Sequence, residues 1–133
     1  MKPVISDRCF ACGPKNPIGL KLKIEGDANR VSTTFLPTTE HEGWEGIVHG
    51  GIVATLLDEV IAWVCVKNGI SAVTARLDLR FRTPAKVGEE ISAHAEIIET
   101  KGRTTRCRAE LRSNEGRVVA EAQALLLRVT SLQ

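Results

Sequence analysis

The sequence predicts an α+β domain, a curved antiparallel sheet of about six strands wrapped around one long central helix. Two observations carry this prediction. Gly51 to Val66 is the one stretch apolar and continuous enough to be a buried helix, and every segment after it alternates apolar and polar residues between Gly- or Pro-containing turns. A helix and a sheet patterned in this way must share one core. With 133 residues, 43% hydrophobic and 26% charged, the chain has material for one real core and no room for a second.

Residues 1–19 contain Pro3, Gly13, Pro14, Pro17 and Gly19 and are expected to lie over the surface as an irregular lead-in, with the domain proper at 20–133. Leu20-Lys21-Leu22-Lys23-Ile24 alternates, and Arg30 to Leu36 is rich in β-branched residues. With Gly26-Asp27-Ala28-Asn29 as the turn, the pair reads as a hairpin. Pro37 to Val48 is a loop holding Gly43-Trp44-Glu45-Gly46. The helix is expected from about Gly50 to Lys67, stopped by Asn68-Gly69. Strands follow at Ala72–Arg82, Glu90–Glu99, Arg103–Ser113 and Arg117–Val129, separated by Thr83 to Gly88, Lys101-Gly102 and Asn114-Glu115-Gly116.

At 100° per residue, Gly51, Ala54, Thr55, Asp58, Ala62 and Cys65 form one stripe of the helix, with Asp58 at its middle. Ile52, Val53, Leu56, Leu57, Val60, Ile61, Trp63 and Val64 fill most of the rest. Small side chains let a ligand or another helix come close, so the stripe reads as a working surface. An apolar helix and the open edges of a sheet both argue that one copy is incomplete, and a homodimer is expected.

The net charge of +2 and pI near 8.4 neither require nucleic acid nor exclude an anionic small molecule. Aromatics make up 4% with no Tyr, so no base-stacking platform is supported. The apolar helix is shorter than the ~20 residues of a bilayer span and contains Asp58 and Glu59. No signal-peptide pattern is visible, and a cytoplasmic location is expected. Four scattered cysteines are read as reduced thiols. Cys9-Phe10-Ala11-Cys12-Gly13 has the spacing of a zinc half-site, but no second half follows, so a turn in the lead-in is favoured over zinc or redox chemistry.

His49-Gly50-Gly51 opens the helix, where unshielded N–H groups and the positive end of the helix dipole can hold a developing oxyanion. Asp58 lies two turns on, roughly 12 Å along the axis at ~1.5 Å per residue. A substrate touching both must lie along the helix or take one group from a second chain. Together these outline an acyl-transfer site, with Asp58 as base or nucleophile. His49 either orients the reacting group and the glycine loop or is a histidine bonded to backbone. Glu59, about 100° away, is assigned to structure or an interface. Thr74 is the best placed hydroxyl to brace Asp58. Arg76, Arg80 and Arg82 share a face with Asp78, and with Arg103, Arg106 and Arg108 they read mostly as a solvated outer face, a few being suited to phosphates. No Gly-x-Ser-x-Gly elbow is present, which argues against a serine acyl-enzyme.

With Asp58 nine residues after His49, followed by Ala72-Val73-Thr74, Phe81-Arg82-Thr83-Pro84-Ala85 and Gly88-Glu89, the chain resembles the hotdog-fold thioesterases of the PaaI type from about Leu20 to Val129. The segment from Cys9 to Leu20 resembles the opening of another branch of that superfamily. The resemblance implies a dimer that often pairs into a tetramer and hydrolysis of acyl-CoA at the dimer interface without metal or cofactor. It makes the Gly50 N–H the oxyanion donor, Asp58 the general base or nucleophile, and Thr74 the hydroxyl beside that acid. It also implies that Gly51, Phe81, Arg82, Thr83, Gly102, Arg103 and Thr104 line the substrate channel. Some relatives carry Asn six residues before the histidine, where this chain has Gly43 between Glu42 and Glu45. The alternative is therefore a non-catalytic acyl-CoA-binding or scaffolding domain. A dehydratase or hydratase ranks last, because such enzymes pair His with an acid and His49 sits in a glycine turn.

Overall fold

The computed structural model describes residues 5–129, so the outermost residues of the expected lead-in and domain, 1–4 and 130–133, lie outside it. The elements in chain order are β1 (Glu25–Gly26), β2 (Val31–Phe35), a 3-10 turn (Thr39–His41), α1 (Gly50–Lys67), β3 (Ala72–Phe81), β4 (Ile91–Lys101), β5 (Thr104–Ser113) and β6 (Val118–Arg128). The strands form one antiparallel sheet in the order β1-β2-β4-β5-β6-β3, leaving β3 at an edge. No described helix is long and apolar enough to cross a membrane.

Helix α1 starts and stops where its local signals predict. His49 is the N-cap, Asn68 the C-cap, and Gly69 takes φ +70°, the left-handed conformation that ends a helix without a Cβ penalty. Its buried side is Val53, Leu56, Leu57, Val60, Ile61, Val64 and Cys65. Opposite them the sheet supplies Ala93, Ala95, Ala120, Ala122 and Ala124, all buried. Bulk on the helix thus meets small residues on the sheet, which lets the two layers pack at close range. Gly51, Ala54, Thr55, Asp58 and Ala62 keep contact with solvent, as the stripe predicts, but Cys65 does not. It points into the core, with its Sγ 3.8 Å from that of Cys107, and both thiols are free.

Register shifts at Thr74/Arg76 in β3, at Ile97/Glu99 in β4 and at Val119 of β6, opposite Leu111/Arg112, bend the sheet around the helix. Two expectations change at the N-terminal end. The first strand is far shorter than Leu20 to Ile24, because the N–H groups of Leu20 and Leu22 donate to Phe10 O and Ala11 O instead of to β2, and Lys21 sits at φ +52°. The described part of the lead-in, residues 5–19, forms turns with no helix or strand, and it does not merely lie over the surface. Ala11 is buried in the core, and Cys9 and Cys12 pack against it.

Candidate active site

The N-terminus of α1 has four backbone donors to satisfy. The ring of His49 accepts from Gly51 N–H through Nδ1 at 2.8 Å, which assigns the proton of the neutral ring to Nε2. Its carbonyl accepts from Ile52 at 2.9 Å and Val53 at 3.3 Å. Among the described residues the N–H of Gly50 meets no protein acceptor. His49 is itself held by donating its N–H to His41 O at 2.8 Å. Gly43 packs on the same residue, and a Cβ there would sit 3.2 Å from His49 Cα. A Cβ on Gly50 would meet only the ring of Phe81, at 3.7 Å. Phe81 is more than half exposed, so Gly50 opens on a shallow apolar surface.

Asp58 lies two turns along the same face and is half-buried. Thr74 donates its hydroxyl to Asp58 Oδ1 at 3.1 Å. Thr55, the other hydroxyl nearby, donates to Gly51 O at 2.8 Å and leaves the acid alone. Among the described residues Asp58 Oδ2 has no protein partner. The bulge at Thr74/Arg76 is what turns Thr74 toward the helix. Without it Thr74 would share the face of Arg76 and Asp78, which pair with each other at 3.0 Å.

A profile of the thioesterase superfamily matches residues 45–120, more than half of the chain.

The chain belongs to the thioesterase superfamily.

Acyl-coenzyme A thioesterase 13 of Mus musculus is 36% identical over 67 residues, which cover 49% of this chain and 47% of that protein. The chain thus spans about half the length of the curated relatives it matches. The crystal structure of a thioesterase superfamily protein superposes with a TM-score of 0.86 at 27% identity, over 91% of this chain and 60% of the other. The E. coli PaaI protein from the phenylacetic acid degradation operon superposes with a TM-score of 0.78 at 23% identity, over 82% and 84% of the two chains. The fold is therefore the hotdog expected from the sequence.

Within one copy of this superfamily member, the expected site residues fall into separate places. His49, Gly50, Gly51 and Phe81 gather at the helix N-terminus, and Asp58 meets Thr74 further along. Gly102 and Arg103 form the β4–β5 turn and Thr104 opens β5, at the opposite end of the sheet from Phe81. Thr104 pairs with Leu127 and Phe81 with Ala120, seven positions apart on β6 or about 23 Å at ~3.3 Å per residue. Arg82 is held by Glu121 at 2.9 Å, while Arg80, Arg103 and Arg106 make no ion pair among the described residues.

One cluster was not anticipated. Glu59 turns from the helix to the lead-in, where Cys9 Sγ lies 3.7 Å from its Oε2, and the ligand atoms of Cys9, Cys12 and Glu59 all fall within 4.8 Å of one another. Burial, then the Glu59 carboxylate, push the Cys12 thiol up to about 12.

Proposed function

We propose that the chain hydrolyses acyl-CoA thioesters to the free acid and CoA, in a site shared between two copies. The observation that carries this reading is the N–H of Gly50, left without a protein acceptor at the positive end of α1, on an exposed residue with no side chain of its own. Such a donor is what the oxyanion of a tetrahedral intermediate needs. His49 serves as the cap that holds the glycine pair in place. Asp58 either takes a proton from the water that attacks the carbonyl carbon, or attacks that carbon itself to form an anhydride that water then opens. In both routes the C–S bond breaks and the CoA sulfur leaves to be protonated. Thr74 occupies one carboxylate oxygen and so orients the other toward the reaction.

The roughly 12 Å between Gly50 and Asp58 along the helix favours an acid supplied by the second copy. Strand β3 suits that pairing, being an edge strand exposed continuously from Val73 to Arg76. A two-fold arrangement also suits the split of the channel residues, since it brings Gly102, Arg103 and Thr104 of one copy toward Phe81 and Thr83 of the other. Arg82 is tied to Glu121, but an exposed pair of this kind contributes little and exchanges readily for a phosphate. The substrate class is supported by the mouse relative named as an acyl-coenzyme A thioesterase, over the half of the chain that it matches.

The test is free-thiol release from short, medium, long-chain and aryl acyl-CoAs. Wild type should turn over at least one of them, Asp58→Asn should lose about a hundredfold or more, and Thr74→Ser should retain activity that Thr74→Ala loses. Unchanged turnover in Asp58→Asn would reject the mechanism. A second reading has its own observation: Gly43 offers no side chain to hold water, and neighbouring Glu42 is occupied by the Gly46 N–H. Tight acyl-CoA binding with no release by wild type would make this a binding domain.

A further inference from the structure

The Cys9–Cys12 turn is built to a tolerance that a plain surface turn does not need. Cys12 N–H donates to Cys9 Sγ at 3.5 Å and Gly13 N–H to Cys9 O at 2.8 Å. Gly13 is buried, and a Cβ there would lie 2.3 Å from Cys9 N and 2.6 Å from Asp7 O, so only glycine fits. The turn is anchored by the bonds from Leu20 to Phe10 and from Leu22 to Ala11, both at 2.9 Å. Both sulfurs are thereby presented to the helix, and the side chain that meets them, fifty residues on from Cys9, is a half-buried carboxylate. No Lys, Arg or His pairs with Glu59 among the described residues.

We propose that Cys9, Cys12 and Glu59 form a site for a zinc-class divalent cation, with the fourth position open to water. Two thiolates and one carboxylate are a donor set that zinc accepts, and three protein ligands with one open position is a recurrent zinc arrangement. Zn–S of ~2.3 Å and Zn–O of ~2.0 Å in a tetrahedron require S···O separations of about 3.5 Å. The 3.7 Å between Cys9 Sγ and Glu59 Oε2 is already close to that edge. Binding converts two thiols to thiolates, releasing two protons to solvent. A cavity of about 330 Å³ lined by Cys12 together with Asp7, Leu22 and Trp63 reaches one of the three ligands from solvent. Cys9 and Cys12 are both free thiols. The ion would staple the lead-in to α1 at the residue after Asp58, and it has no part in the hydrolysis proposed above.

The full chain, purified under reducing conditions and stripped with a chelator, should take up one Zn²⁺ per chain in calorimetric titration. Co²⁺ in its place should show thiolate-to-metal charge transfer and the visible bands of a four-coordinate ion. Cys9→Ser, Cys12→Ser and Glu59→Gln should each weaken Zn²⁺ roughly tenfold or more, whereas Asp78→Asn, an exposed acid elsewhere, should not. Circular dichroism checks that the variants fold, and the near-isosteric Glu59→Gln decides if a cysteine variant does not. Three outcomes overturn the site: no uptake by wild type, equal affinity in Glu59→Gln, or a Cys9–Cys12 disulfide whose reduced form takes up no zinc.

Discussion

The free N–H of Gly50 follows from how its neighbours are used. His49 spends its ring nitrogen on Gly51 and its carbonyl on Ile52 and Val53, so three of the first four donors of α1 are satisfied and one remains. This makes a sharp substitution available. Gly50 is the first helical residue, where proline is well tolerated, and His49 at φ −56°, ψ 134° already has the extended backbone that a following proline demands. Gly50→Pro should therefore keep the thermal midpoint close to wild type and lower kcat by about a hundredfold or more. Thermal melts beside thiol-release kinetics check it, and full activity in a folded Gly50→Pro would remove the oxyanion role. At this scale the sequence is readable where residues share one helix, as His49, Gly50 and Asp58 do, because helical rise fixes their separation. Thr74 was found by its position after the helix, although strict alternation would have turned it outward with Arg76, and no residue type announces the bulge that reverses it. The contact of Glu59 with Cys9 was illegible, because nothing local couples residues fifty positions apart.

Among the elements, α1 was the most legible, with ends and inner face written in neighbouring residues: a glycine pair at one end, Asn68-Gly69 at the other, apolar spacing between. Its stability is a packing effect. Leu57 is fully buried, so Leu57→Ala should cost about 2–5 kcal/mol through lost burial and the cavity left behind. Urea denaturation measures this, and a loss below about 1 kcal/mol would mean that the helix packs less tightly than described. The element read least well was the first strand. Leu20 to Ile24 carries the right alternation, yet its donors are taken by the Cys9–Cys12 turn, and a strand whose N–H groups are committed elsewhere cannot extend its ladder. Alternation reports which face a residue prefers. It does not report which neighbour claims the backbone.

For the whole molecule, the separation of Gly50 from Asp58 and of Phe81 from Thr104 is the fact that bears most on function. If each site takes its oxyanion donor from one copy and its acid from the other, two inactive variants should complement. Gly50→Pro and Asp58→Asn chains, mixed after dissociation and reassociated, should recover about a quarter of wild-type activity per chain, since half of random pairs are hybrids and each hybrid has one intact site of two. No recovery, with hybrid dimers demonstrated by mass, would place the site within a single copy. The length, the period-two strands and the apolar helix with its acid were enough to specify a helix wrapped by a sheet, because burying one face of each leaves few ways to join them. They were also enough to set Asp58 two turns from Gly50, since helical rise is the same in every protein. Strand bulges, the capture of the first strand's donors by the lead-in, the inward turn of Cys65 and the meeting of Glu59 with two cysteines needed the folded chain. Each depends on which distant backbone or side chain wins a hydrogen bond or a space in the core, and that competition is resolved only when all the segments are packed together.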